Sequence, residues 1–209
     1  MKVINITFIL LASSMMAACT TSASTRYYTL SAPAKSATPI APAASTIAIE
    51  VLPVNVPERL KRPQLVVSAA NTTQLKVLEQ ERWSSAFNDE LRDALASGIS
   101  SQLGALDTTR GGRLANQPLY RIAVVLRQLD AAPGDSVRAS FGWTITRVDK
   151  AARTGDEPAI SCQSVITKAV ANGTDALVQG IQASVADTVN AIAANITRLN
   201  ANGLAECGN

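Results

Sequence analysis

The side chains that could carry acid–base chemistry in this 209-residue chain are carboxylates, because the sequence contains no histidine. Without histidine, Ser-His-Asp and Cys-His catalysis are excluded, and the commonest ligand of zinc and iron is missing. Two distant carboxylates could still form a glycosidase-type pair, so acid–base hydrolysis stays open. We expect a solvated surface role instead, because each carboxylate cluster has polar neighbours. The clusters are Glu79 with Glu81, Asp89 with Glu90, and Asp156 with Glu157.

Motifs that bind phosphate or nucleic acid are also absent from the sequence. It contains neither the Gly-x-x-x-x-Gly-Lys nor the Gly-x-Gly-x-x-Gly pattern that cradles phosphates. The formal net charge is +3, charged residues make up 17% of the chain, and no run of like charge occurs. We therefore expect no cofactor, no bound metal and no nucleic-acid partner.

Cys19 belongs to a segment with a different chemistry. A basic start, an apolar run over residues 3–12 and small residues before the cysteine are the pattern of a secretory signal. The apolar run is too short to span ~30 Å of hydrocarbon. Ala17-Ala18-Cys19 resembles a bacterial lipobox, with Met16 where leucine is usual. The resemblance implies cleavage before Cys19 and acylation of its thiol and new amine, and several acyl chains give a stable anchor. The alternative is an ordinary signal with an incidental cysteine.

The other two cysteines, Cys162 and Cys207, make an even pair in an oxidising compartment, and two cysteines alone cannot form a tetrahedral zinc site. We expect a disulfide between them, because a C-terminal helix that runs back along the last strand brings Cys207 toward Cys162. The bond would pin the C-terminal tail to the domain. The alternative is one buried thiol and one thiol in a frayed tail.

Removal of the signal leaves about 190 residues, enough for one domain with its own core. We expect a signal peptide over residues 1–18, a lipidated tether over 19–26, one domain over 27–202 and a tail over 203–209. Residues 31–46 are rich in alanine, proline and serine, which predicts an irregular connector inside the domain.

Alternation of apolar and polar residues predicts most of the strands. Three of them form a meander, because Pro133-Gly134-Asp135 is a turn signal between two alternating runs. The predicted strands cover residues 27–30, 47–54, 64–68, 73–78, 119–129, 137–148 and 160–168.

Two long helices follow from apolar residues at helical spacing. Ser84 or Ser85 can cap the first helix, and Gly104 ends it. The second helix covers residues 174–200. The order of elements predicts an α+β two-layer sandwich, in which a mostly antiparallel sheet carries both helices on one face. The other face stays open to water or to a partner.

Four stretches of the sequence form a distinctive set: Tyr27-Tyr28-Thr-Leu, Val54-Asn-Val56-Pro57-Glu, Arg62-Pro63-Gln64-Leu-Val66 and Arg82-Trp83. Together they resemble the ABC-type transport auxiliary lipoprotein family. The resemblance covers the lipobox and, by element order, nearly the whole mature chain. Arg59 departs from the family pattern, in which an aromatic residue is common, and Lys61 stands where an acidic residue often precedes Arg-Pro.

The resemblance implies an accessory subunit of a trans-envelope lipid transport system, with no catalytic residues. In such a system a permease and an ATPase act in the inner membrane, and an MCE-domain protein spans the periplasm as a lipid tunnel. The auxiliary lipoprotein docks the end of the tunnel on the periplasmic face of the outer membrane and supports membrane integrity. Thr20 agrees with this location, because aspartate after the lipidated cysteine is the usual signal for retention in the inner membrane.

The family motif also marks a possible partner surface. We expect its aromatic residues in the core and its prolines to shape the loop, whereas Arg62 is the best candidate for a partner contact, with a structural ion pair as the alternative. A homo-oligomeric ring would suit a tubular partner. Two other functions stay open, a lipid carrier with an apolar pocket and a carboxylate-dependent envelope hydrolase. The motif residues are Tyr27, Tyr28, Pro57, Arg62, Pro63 and Trp83.

Overall fold

The computed structural model is an α+β protein, as the sequence predicts, and it describes residues 24–31, 47–69, 72–109, 111–112, 117–148, 159–202 and 207. Within these residues, two long helices pack against two sheets. The elements in chain order are β1 (Arg26–Tyr28), β2 (Ala48–Val51), a 3₁₀ turn (Glu58–Leu60), β3 (Gln64–Ser68), β4 (Leu75–Trp83), α1 (Phe87–Leu103), β5 (Leu106–Asp107), β6 (Leu119–Ala132), β7 (Ser136–Val148), β8 (Ala159–Ala169) and α2 (Thr174–Asn202).

The larger sheet has five strands in the order β5-β2-β6-β7-β8. β6, β7 and β8 form the predicted antiparallel meander, and Gly134 has a φ of 76° in the turn between β6 and β7, a conformation that glycine adopts without strain. β2 pairs in parallel with both β5 and β6. The sheet is therefore mixed, with an antiparallel half and a parallel half.

The smaller sheet has three strands in the order β1-β4-β3, with β1 parallel and β3 antiparallel to β4. The sequence pattern predicts one sheet, whereas the structure divides the strands between two. The chain stays beside β6 as far as Asn55, and Pro57 and Pro63 lie in the connection from there to β3, where a residue without a backbone N–H cannot donate to a strand ladder. Pro53, Pro57 and Pro63 all lie between β2 and β3.

Both helices cover one face of the larger sheet. α2 packs on β6, β7 and β8, whereas α1 packs on β2 and β5 and against α2. Trp143 of β7 donates its indole N–H to the Asn195 amide oxygen of α2, 3.1 Å away. Gly98 brings the two helices close, since a Cβ there would lie 2.8 Å from Val189 of α2. The interior is filled by large side chains that are almost completely buried, including Tyr120, Phe87, Phe141, Ile122, Ile145 and Leu177.

Several boundaries differ from the predicted ones. β4 continues to Trp83, beyond the predicted end at residue 78, because β1 pairs with its second half. β5 was not predicted, since two residues carry no periodic signal. The N-cap of α1 is Ala86, so the prediction that Ser84 or Ser85 caps this helix is wrong. Gly104, with a left-handed φ of 60°, ends α1 as predicted.

Some predictions fall on residues outside those that the structure describes. They are the signal and Cys19, residues 32–46 of the connector, the acidic pair Asp156 and Glu157, and most of the tail. Within the described ranges, neither α1 nor α2 combines the length and the hydropathy that a membrane-spanning helix requires.

Candidate functional site

Five of the six motif residues meet at one end of the smaller sheet. β1 lies beside β4 with Tyr27 opposite Arg82 and Tyr28 opposite Trp83. On the other side of β4, the backbone N–H of Trp83 donates to the carbonyl oxygen of Pro63 at 2.7 Å. We call Tyr27, Tyr28, Arg62, Pro63 and Trp83 the motif cluster. The sixth motif residue, Pro57, precedes the 3₁₀ turn and accepts a backbone hydrogen bond from Leu60.

The aromatic residues of the motif cluster do not share one environment. Trp83 is buried and its ring packs on Phe87, with 5.1 Å between ring centroids. Tyr28 is half-buried, whereas Tyr27 is 67% exposed. Successive side chains of a strand point to opposite faces, so Tyr27 faces outward because Tyr28 lies on the side of Trp83. The expectation that all three aromatic residues lie in the core is therefore wrong for Tyr27.

Charged groups fix β1 to β4. Arg26 hydrogen-bonds to the carboxylate of Glu81, which neighbours the Tyr28 hydroxyl. Burial alone would raise the pKa of Glu81, but the hydrogen bond from Arg26 and the nearby Tyr28 hydroxyl outweigh it and leave the pKa lowered. Burial and the carboxylates Glu81 and Asp175 raise the pKa of the Tyr28 hydroxyl above its usual value. Glu81 is thus engaged in holding the N-terminal strand.

Glu90 is a buried carboxylate in the first turns of α1, with 7% of its surface exposed. It accepts hydrogen bonds from the Leu30 backbone N–H at 2.9 Å and the Thr29 hydroxyl at 2.8 Å. The Ser84 and Ser85 hydroxyls donate to its other oxygen at 2.5 and 2.9 Å. We call these five residues the Glu90 latch, because they tie the segment after β1 to the start of α1.

The latch corrects the prediction that Glu90 is a solvated surface group. Burial raises the pKa of Glu90, but the hydrogen bonds from Ser84, Leu30, Thr29 and Ser85 lower it by more, so the net shift of the pKa is downward. Two serines just before a helix, followed by a glutamate in its first turn, are the signal that could have pointed to this arrangement. The two serines hydrogen-bond to the glutamate carboxylate instead of capping the helix N-terminus.

Arg62 lies on the surface beside a groove of about 470 Å³ at the base of the motif cluster. Lys61 lies on the rim as well and pairs with Glu58 at 2.9 Å. Among the described residues, Arg62 has no ion-pair partner, so the alternative of a structural ion pair finds no support there. The groove is lined by Pro53, Val54, Asn55, Lys61, Arg62, Pro63, Ala86 and Asn88.

Arg59, the first departure from the family pattern, has a structural contact. Its guanidinium donates to the Leu129 carbonyl oxygen at 3.1 Å and lies 3.3 Å from the Asp130 carboxylate. The residue therefore binds the 3₁₀ turn to β6, beside the larger sheet.

Cys162 and Cys207 are joined by a disulfide with 5.5 Å between their Cα atoms. Cys162 is buried in β8, and the bond holds Cys207 beside this strand, as the sequence predicts. In the part of the chain that the structure describes, no three His, Cys, Asp or Glu residues are grouped as a metal site.

Comparison with known proteins connects this geometry to a family. A family model described as the ABC-type transport auxiliary lipoprotein component matches residues 28–193. A crystal structure of an uncharacterised protein is 19% identical, with a TM-score of 0.62 over 83% of this chain and 99% of the other. A Xanthomonas campestris protein is 13% identical, with a TM-score of 0.53 over 75% and 88% of the two chains. At these identities the two structures show a shared fold alone. No curated protein sequence matches the chain.

Proposed function

This chain belongs to the ABC-type transport auxiliary lipoprotein family, and from that premise we propose that it is a non-catalytic accessory subunit of a trans-envelope lipid transport system. Acyl chains on Cys19 hold the domain on the periplasmic face of the outer membrane. The domain docks the end of a periplasmic MCE-domain protein, and a ring of copies would suit a tubular partner. Through this docking the chain supports membrane integrity.

The observation that carries the docking role is the motif cluster with its groove. Arg62 offers a guanidinium that no described carboxylate neutralises, whereas Lys61 beside it is paired with Glu58. Pro53, Val54 and Pro63 give the groove an apolar lining. Such a site suits a partner segment that combines acidic and apolar side chains, because complementary charge directs association while apolar contact adds affinity.

A lipid carrier would need a continuous apolar cavity, and the described interior speaks against one. Phe87, Tyr120 and Phe141 fill the space between the helices and the larger sheet and are almost completely buried. The grooves beside Arg62 and beside Arg59 both open to the surface. Packing of this kind favours a docking module over a carrier.

A carboxylate-dependent hydrolase would need two carboxyl groups across a cleft, one with a raised pKa that serves as the acid. Glu81 and Glu90 instead hold separate structural partners, and the pKa of each is lowered. Glu79 accepts a hydrogen bond from Gln64 at 3.3 Å on the exposed sheet. These contacts support a function without catalysis.

We expect Cys19→Ala to leave the domain folded but to move it from the membrane to the soluble periplasmic fraction, because the acyl chains are the anchor. Outer membranes from the same cells should then retain less of the MCE-domain protein, as measured by immunoblotting of separated membranes. Thr20→Ser is the matched control, since it changes the neighbouring residue and keeps the acylated cysteine. Normal membrane fractionation of Cys19→Ala would contradict the anchor.

A further inference from the structure

β8 forms one edge of the larger sheet, with β7 on one side and, among the described residues, no strand on the other. Directly after β8, Val170 donates its backbone N–H to the carbonyl oxygen of Asp135 at 3.0 Å. Residues of an antiparallel pair alternate between exchanging backbone hydrogen bonds and turning their backbone groups away from the partner strand. The register of β8 with β7 therefore turns the backbone groups of residues 163, 165, 167 and 169 toward the edge.

These outward backbone groups have no partner in the part of the chain that the structure describes. Only the start of β8 is covered, because the Sγ atom of Cys207 lies 3.2 Å from the carbonyl oxygen of Ser161. We call residues 163–169 the open edge.

The open edge lacks the features by which edge strands usually avoid pairing with another chain. It contains no proline, and its register with β7 runs without a bulge. Its one charged residue, Lys168, lies on the helix side and pairs with Asp187 of α2 at 2.6 Å. On the other face Val165 is 59% exposed, and Ile166 on the helix side is only partly buried. Another strand could therefore pair here without opposing a free charge.

A second copy of the chain fits the open edge. Antiparallel pairing of residues 163–169 with the same residues of another copy centres on Ile166, which lies on a two-fold axis. Val165 then faces Thr167 of the other copy, and Gln163 faces Ala169, so no like charges are opposed. The outward backbone groups of the two copies meet in the pairs that exchange hydrogen bonds. α2 packs on β6, β7 and β8, so it lies inside the edge and leaves room for Ile166 to contact its equivalent.

We propose that two copies of this chain join through their open edges, so that their five-stranded larger sheets become one continuous sheet. The pairing covers Val165 on one face and Ile166 on the other. It needs only the domain and does not rest on the proposed transport role. A two-fold contact is closed, and it differs from the head-to-tail contact that a ring of copies requires.

Sedimentation equilibrium of the acylated full-length chain in detergent tests the pairing. The unsubstituted chain should form a dimer, and Val165→Lys should raise the dissociation constant of the dimer by about 10-fold or more, because it places two ammonium groups beside the axis. Ala123→Lys is the matched control, since Ala123 is exposed on the same face of the sheet but lies two strands from the edge. Its dissociation constant should equal that of the unsubstituted chain.

Photo-cross-linking in cells tests the same edge without the lysine variant, and so does not depend on whether that variant folds. p-Benzoylphenylalanine in place of Thr167 should give a covalent dimer of the chain after irradiation, and the same residue in place of Ala123 should give none. A monomeric unsubstituted chain, equal dissociation constants for Val165→Lys and Ala123→Lys, or no dimer adduct at position 167 would overturn the pairing. An adduct at position 167 with a different protein alone would assign the edge to that protein and overturn the pairing as well.

Discussion

Glu90→Ala should lower the free energy of unfolding by about 3 kcal/mol, because it removes the acceptor of four hydrogen bonds at a buried site. The buried Leu30 N–H and three hydroxyls would lose their partner, a carboxylate whose residue is itself 7% exposed. The latch also holds the segment after β1, so the amides of residues 26–30 should exchange with solvent faster. Urea unfolding and hydrogen exchange measure the two effects.

Asp89→Ala is the matched control for the latch, since Asp89 is the exposed neighbour of Glu90 in the same turn of α1. Asp89→Ala should lower the free energy of unfolding by less than about 1 kcal/mol, the size of a charge effect at a helix N-terminus. Equal losses for the two variants would show that the hydrogen bonds to Glu90 add nothing beyond that charge effect.

The stability that Glu90 provides should depend on pH in a definite direction. Its pKa is lower in the folded protein than in the unfolded chain, where a glutamate has a pKa of ~4.3. Its contribution is therefore complete above the unfolded-state pKa and is lost as the pH falls through the folded-state pKa. The difference in stability between the unsubstituted chain and Glu90→Gln should shrink over that acid range.

The second large loss of stability is expected for Cys207→Ser, which should lower the free energy of unfolding by about 4 kcal/mol. The disulfide closes a loop with a sequence separation of 45 residues, and the chain-entropy model assigns ~4 kcal/mol to a loop of that length. The fold should survive, because α2 and β8 are held by buried residues such as Ile181 and Ile192 of the helix and by the Lys168–Asp187 ion pair.

Thermal unfolding with and without a reductant measures the contribution of the disulfide. A reductant should destabilise the unsubstituted chain to the level of Cys207→Ser and leave the variant itself unchanged. If the unsubstituted chain resists reductant and unfolds like the variant, the bond contributes nothing to stability.

Local signals in the sequence predicted the antiparallel half of the fold. The meander followed from alternation around Pro133-Gly134-Asp135, and β3 begins directly after Pro63 as expected. Gly104 marked the end of α1 because a left-handed residue suits glycine. In each case the residues that determine the element lie inside it or next to it.

Long-range contacts explain what the sequence did not reveal. The pairing of β1 with β4 joins residues 55 positions apart. β1 has three residues, and so short a run shows too little periodicity to indicate that it pairs in parallel. Glu90 is buried only because that pairing brings Thr29 and Leu30 over α1. The exposure of Tyr27 follows from the same register.

The candidate site shows the same limit. Arg62 was identified from the motif, but the groove beside it also needs Ala86 and Asn88, which arrive from the start of α1 more than twenty positions later. No spacing pattern within residues 54–66 could indicate the side of the groove that Ala86 and Asn88 form.

In-cell photo-cross-linking tests the docking role most directly. p-Benzoylphenylalanine in place of Lys61 puts a reactive group on the rim of the groove and leaves Arg62 intact, whereas the same residue in place of Asn190 occupies an exposed position of α2. After irradiation, position 61 should give a covalent adduct with the MCE-domain protein and position 190 should give none. Equal adducts at both positions, or none at position 61, would contradict docking through the motif cluster.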